Sequence, residues 1–143
     1  MTSYFTINVE AAIIKDNKWL LCTRSKKEKH AGGVLSLIGG TVEHSDPKQD
    51  TLESALIREI YEEIGVKISI IDFVHNTCFV INGGNHTIDI VFLCEIVEGE
   101  PSPINPDEIE SLHWMSTDEI RTNANSPSWL LTSIERASDI KKS

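Results

Sequence analysis

The sequence predicts an α/β (α+β) sandwich, a mixed β-sheet with helices packed on it. Three observations carry this. Strand-like segments recur through most of the chain, one stretch switches to helical period, and two marked helix starts close the sequence. Residues 4–14 (YFTINVEAAII) read as a strand, Lys15-Asp16-Asn17-Lys18 as a hairpin turn, and 19–23 as the returning strand. Residues 24–33 form a basic loop. Residues 34–38 are a short apolar strand that Gly39-Gly40 ends. Between Asp50 and Ile64 the apolar residues Leu52, Ala55, Leu56, Ile60 and Ile64 fall three and four apart, the mark of one helix face. Asp50 reads as its N-cap, Glu53 completes a capping-box pattern, and Gly65 stands where a C-cap glycine belongs. Residues 66–81 and 86–98 are β-rich around the hairpin signal Asn82-Gly83-Gly84-Asn85, and Ile88, Ile90, Phe92, Cys94 and Ile96 alternate onto one face. A loop over 99–110 carries Pro101, Pro103 and Pro106. A strand around 112–115 follows, then a second capping box, Ser116 with Glu119, and a last helix opened by Ser126-Pro127.

The chain has 143 residues, enough for one hydrophobic core, and is expected to form a single domain over 1–143. Its composition suits a soluble globular protein. No apolar run approaches membrane-spanning length, and the N-terminus lacks a secretory pattern, so a cytoplasmic location is expected. A formal net charge of −9 argues against general binding to nucleic-acid polymers or anionic membranes. An anionic substrate would then need a positive mediator, and a divalent metal is the candidate. Cys22, Cys78 and Cys94 form no CxxC pair and read as small core residues in a reducing compartment. The histidines show no metal-ligand spacing.

The informative segment is Arg58-Glu59-Ile60-Tyr61-Glu62-Glu63-Ile64-Gly65-Val66. On a helix, Glu59, Glu62 and Glu63 project from one side while Leu56, Ile60 and Ile64 face the core. Three neighbouring carboxylates repel one another and are best relieved by a cation. Mg²⁺ or Mn²⁺ suits them, since both take oxygen ligands and accept substrate phosphates. Arg58 lies four residues before Glu62, close enough to hold that carboxylate, and Gly40 could offer a backbone carbonyl to the metal. A merely solvated acidic helix is the competing interpretation. There is no EF-hand pattern to support calcium buffering.

Gly40 through Val66 resembles the Nudix box, G-x5-E-x7-R-E-U-x-E-E-x-G-U with U aliphatic, through Gly40, Arg58, Glu59, Ile60, Glu62, Glu63, Gly65 and Val66. The resemblance implies a Nudix-type α/β/α sandwich. It also implies metal-dependent hydrolysis of a nucleoside diphosphate linked to another moiety, with water attacking phosphorus. It makes Glu59, Glu62, Glu63 and the Gly40 carbonyl the metal ligands and Arg58 a residue that holds them. Glu62 or Glu63 is the first choice for general base, with Glu108 favoured over Glu110 among later acids. A small-molecule nucleotide is the expected partner, and a homodimer is left open. The stretch before Arg58 is four residues longer than the pattern, and an aspartate replaces the box's first glutamate. Counting back from Arg58 selects Asp50, and counting forward from Gly40 selects Asp46. Backward counting is preferred, because helix spacing is fixed and an insertion in a loop is cheap.

Within such a family, Val80 and Ile81 stand where ADP-ribose enzymes often carry proline. No tyrosine follows Tyr61. Both features favour a nucleoside triphosphate or modified nucleotide over ADP-ribose and dinucleoside polyphosphates. Tyr4, Phe5, Phe79 and Trp129 are candidates to stack a base, though each is first read as core, and the basic stretch Arg24 to Lys29 is a candidate phosphate contact. The alternative on the same fold is a nucleotide-sensing module that does not cleave.

Overall fold

The computed structural model describes residues 4–26, 32–81 and 83–142, so Lys27 to Lys29 of the basic stretch lie outside the described residues. Strands β1 (Phe5–Lys15) and β2 (Lys18–Arg24) make the expected hairpin. Asp16 and Asn17, at φ 52° and 63°, supply the left-handed pair that a two-residue turn needs to match strand twist. β3 (Leu35–Ser36) and β4 (Ile38–Thr41) follow, then α1 (Thr51–Ile64) and the long hairpin of β5 (Lys67–Ile81) and β6 (Asn85–Glu98). β7 (Ile109–Met115), α2 (Thr117–Thr122) and α3 (Ser128–Lys142) complete the chain.

The strand order is β3-β2-β1-β6-β5, with β4 joined to β1 and β7 to β2. β1 runs parallel to β6, from Phe5 opposite His86 to Ile13 opposite Cys94, while the other pairings are antiparallel. The sheet is therefore mixed, as expected. Strand side chains alternate between faces. Val9, Ala11 and Ile13 of β1, with Phe92 and Cys94 of β6, pack into a core with Leu56, Ile60 and Ile64 of α1. Ala12, Val91 and Leu93 form a second core with Leu130, Ile134 and Ala137 of α3. Burial of each large side chain contributes roughly 1.5–3 kcal/mol. Both sheet faces are thus covered, which makes an α/β/α sandwich. Among the described residues no helix is long and apolar enough to cross a membrane.

Four local expectations are corrected. Gly39-Gly40 does not end a strand but lies within β4, paired with Glu10 and Val9 of β1. A Cβ on Gly39 would land on the Val9 carbonyl oxygen, so glycine here serves close backbone approach. Asp50 does precede α1, but at φ 50° and ψ 41° its side chain makes no capping bond. The Thr51 hydroxyl instead donates to the Pro47 carbonyl (2.7 Å), so the preceding loop sets the entry into the helix. Cys78 is exposed, while Cys22 and Cys94 are buried as expected. Tyr4, Phe5 and Trp129 are also exposed rather than core. At α2 the capping box forms in full, with the Ser116 hydroxyl accepting from the Glu119 N–H and the Glu119 carboxylate accepting from the Ser116 N–H.

Candidate active site

α1 lies across β4, so the helix presents its acidic side to the glycine strand. Glu59 is buried against Gly40, and a Cβ on Gly40 would collide with the Glu59 carboxylate. Arg58 binds on several sides at once. Its Nε and Nη2 donate to the two oxygens of Asp46 (2.8 and 3.0 Å), the forked geometry that favours arginine over lysine. Nη1 donates to Glu59 (2.8 Å) and Glu62 (3.2 Å), and Nη2 also reaches the Thr41 carbonyl (3.2 Å).

Asp46, not Asp50, therefore stands where the box's first acid belongs. Its carboxylate is buried and accepts the Glu43 N–H (2.7 Å) as well as the guanidinium. The Arg58 hydrogen bonds hold its carboxyl below the ordinary value, helped by the Glu43 N–H. The same contacts raise Arg58, which stays charged. Asp46 is the aspartate reached by counting forward from Gly40, and four residues separate it from the start of α1.

Glu63, half-buried one turn beyond Glu59, is bonded to Glu108. The loop that brings Glu108 there also caps α1. Ser102 and Ile104 donate their N–H groups to the carbonyls of Ile64 (3.1 Å) and Glu63 (3.0 Å), which the helix end leaves free. The Ser25 N–H holds the Glu108 carbonyl at 3.0 Å. Glu110 lies beyond, exposed on β7. Burial pushes the Glu63 carboxyl up to about 8, with the Glu108 hydrogen bond and charge adding to it. Burial also raises Glu59, and Arg58 opposes that rise.

The predicted acids thus divide into two sets, Glu59 and Glu62 on Arg58, and Glu63 with Glu108. Among the described residues no three of them already converge as a ligand group. Their chemistry nonetheless fits a hard divalent cation. Every donor is an oxygen, and the elevated Glu63 carboxyl holds a proton that a cation would displace.

Sequence reasoning missed a cavity of about 370 Å³ on the α3 side of the sheet, lined in part by Asn8, Glu10, His75, Asp89, Phe79 and Trp129. The Asn8 amide donates to Asp89 Oδ1 (2.8 Å), and His75 Nε2 shares a hydrogen bond with the Ser133 hydroxyl (2.8 Å). The available signal was the polar pair Asn8 and Glu10 interrupting the apolar strand at every second residue. Two of the four candidate aromatics, Phe79 and Trp129, line this cavity, whereas Phe5 stacks edge-on against His86. Arg24 lines it too, adjacent to the Ser25 that holds Glu108.

The family model described as the NUDIX domain matches residues 5–133. A MutT NUDIX hydrolase from Burkholderia pseudomallei superposes with a TM-score of 0.80 at 27% identity, covering 94% of this chain and 98% of that one. The MutT protein from Methanosarcina mazei Go1 superposes at 0.81 with 24% identity over 100% and 99%, a likeness of fold. An ADP-ribose pyrophosphatase of Methanocaldococcus jannaschii is 36% identical over 66% of this chain and 53% of its own length. An NAD-capped RNA hydrolase NudC of Escherichia coli O1:K1 is 29% identical over 76% of this chain and 38% of its own length. The match therefore spans about half or less of these curated relatives.

Proposed function

The chain belongs to the Nudix family, and from that premise we propose that it is a pyrophosphohydrolase acting on a nucleoside di- or triphosphate derivative. The observation that carries this reading is the pairing of Glu63 with Glu108 beside Arg58-held Glu59 and Glu62, with a cavity able to take a base on the opposite face of the sheet. Glu59, Glu62, Glu63 and the Gly40 carbonyl are the groups that would hold Mg²⁺ or Mn²⁺. When bound, such an ion neutralises phosphate charge and lowers the pKa of a water.

Arg58 orients Glu59 and Glu62 and is itself anchored by Asp46, so it positions the ligands rather than touching substrate. Glu63 is assigned as the general base, taking the proton of the attacking water at a carboxylate oxygen, with Glu108 sharing its proton. It can take that proton only once a bound cation has displaced the one it shares with Glu108. A (d)NTP or modified nucleotide is preferred over ADP-ribose, because Val80 and Ile81 occupy the positions where ADP-ribose enzymes often carry proline. The net charge of −9 favours a small nucleotide over a polymer.

The test is turnover with Mg²⁺ on a panel of (d)NTPs, ADP-ribose, NAD⁺ and nucleoside diphosphate sugars, with products identified by mass. Metal-dependent cleavage of a phosphoanhydride is expected, with kcat falling about 100-fold or more in Glu63→Gln. No turnover on the panel, or full activity in Glu63→Gln, would overturn the assignment. Stabilisation by a nucleotide without product would mark a sensing module instead.

A further inference from the structure

Asn8 and Asp89 are direct partners across the parallel β1–β6 pair, and Glu10 lies two residues further along the same face of β1. Polar groups on a buried sheet face are costly unless bonded. Here the Asn8 amide donates to Asp89 Oδ1, and Glu10 bonds to Asp89 side chain to side chain. Two carboxyl groups bond each other only through a shared proton. Burial is the larger cause holding the Glu10 carboxyl well above its ordinary range, and Asp89 adds to it while Arg24 opposes it. His75 adds no cation, since burial and Arg136 keep its imidazole below its usual value, with Asp89 opposing.

The donor count follows. The Asn8 amide and the shared proton are the donors that reach this pair among the described residues. The remaining lone pairs on Glu10 and Asp89 are acceptors on the wall of a cavity that also offers the rings of Phe79 and Trp129. The edge of a base that meets this pair must bring donors, while Arg24 and the Thr77 hydroxyl on the same wall can donate to its other edges.

Resting on the hydrolase reading above, we propose that Glu10 and Asp89 select the nucleobase, and that they select an edge bearing a ring N–H beside an amino group. Among the common bases guanine alone presents that edge. Adenine and cytosine set an amino donor beside a ring acceptor, and uracil, thymine and hypoxanthine lack the amino group. A lone pair pointed at the free carboxyl oxygens is repelled, whereas two adjacent donors satisfy them.

The test compares GMP with IMP, which differ by the 2-amino group, for binding to the full chain without metal. GMP is expected to bind about tenfold tighter or more. In Glu10→Gln and in Asp89→Asn the ratio should fall near one. If either fails to fold, Asn8→Ala removes the amide that aims Asp89 and should lower the ratio likewise. Equal affinities in the unaltered protein, or a ratio preserved in the variants, would overturn the proposal. Binding is read without hydrolysis, so the two readings can fail apart. Turnover without discrimination between GMP and IMP removes this inference and leaves the hydrolase. Discrimination without turnover on any nucleotide does the reverse.

Discussion

Arg58 joins the helix to the loop before it, and its partner Asp46 shows what spacing alone can reveal. Both aspartates were visible in the sequence, but choosing between them required knowing where the inserted residues lie, which is a three-dimensional fact. The choice matters for stability. Asp46→Asn removes the charged half of a forked, buried pair and should cost about 2 kcal/mol, read as a lower urea midpoint with unchanged slope. Asp50→Asn, with no side-chain cap to lose, should stay within about 0.5 kcal/mol. The pH dependence has a definite sign. Arg58 depresses the folded-state pKa of Asp46, so its stabilisation is complete above the ordinary carboxylate value of about 3.9 and is lost as pH falls through the lowered folded value. The gap between the unaltered protein and Asp46→Asn should therefore close on acidification below about pH 4. The pairing of Glu10 with Asp89 was illegible for a different reason. Nothing in a single strand tells which residue of another strand it will face, and their significance lies in that pairing.

Secondary structure was legible where the cause is local and hidden where it is a contact. The Asp16–Asn17 turn, the Gly65 cap and the Ser116–Glu119 box depend on neighbours in sequence, and each is present. Ser116→Ala should therefore cost about 1 kcal/mol in thermal or urea unfolding. Gly39 and Gly40 read as a strand end because glycine often marks one. Their actual role is to let β4 approach β1 and α1, which no window of sequence contains. The two should respond differently to alanine. At Gly39 the obstacle is the Val9 backbone, which cannot swing away, so Gly39→Ala should cost about 3 kcal/mol or more. At Gly40 the obstacle is the Glu59 carboxylate, the end of a flexible side chain. Gly40→Ala should fold with a smaller loss, while Mg²⁺ affinity drops about tenfold because Glu59 is displaced. A metal titration beside an unfolding curve separates the two effects.

The sheet divides the molecule into an α1 side that carries the acids and an α3 side that carries the cavity, and the two meet where β2 ends. Arg24 lines the cavity there, and the Ser25 N–H grips the loop of Glu108. If one nucleotide spans both, its base and its phosphates are tethered ligands, and the second contact becomes intramolecular. A non-hydrolysable guanosine triphosphate analogue with Mg²⁺ should then bind about 100-fold more tightly than GMP alone. That gain should vanish in Glu59→Gln, which leaves the cavity intact, whereas Asp89→Asn should weaken GMP and the analogue together. Cys78 is exposed, while burial pushes the Cys22 and Cys94 thiols up to about 12, so a maleimide should label Cys78 selectively. An analogue with Mg²⁺ that binds no better than GMP would mean that the acids and the cavity serve separate ligands.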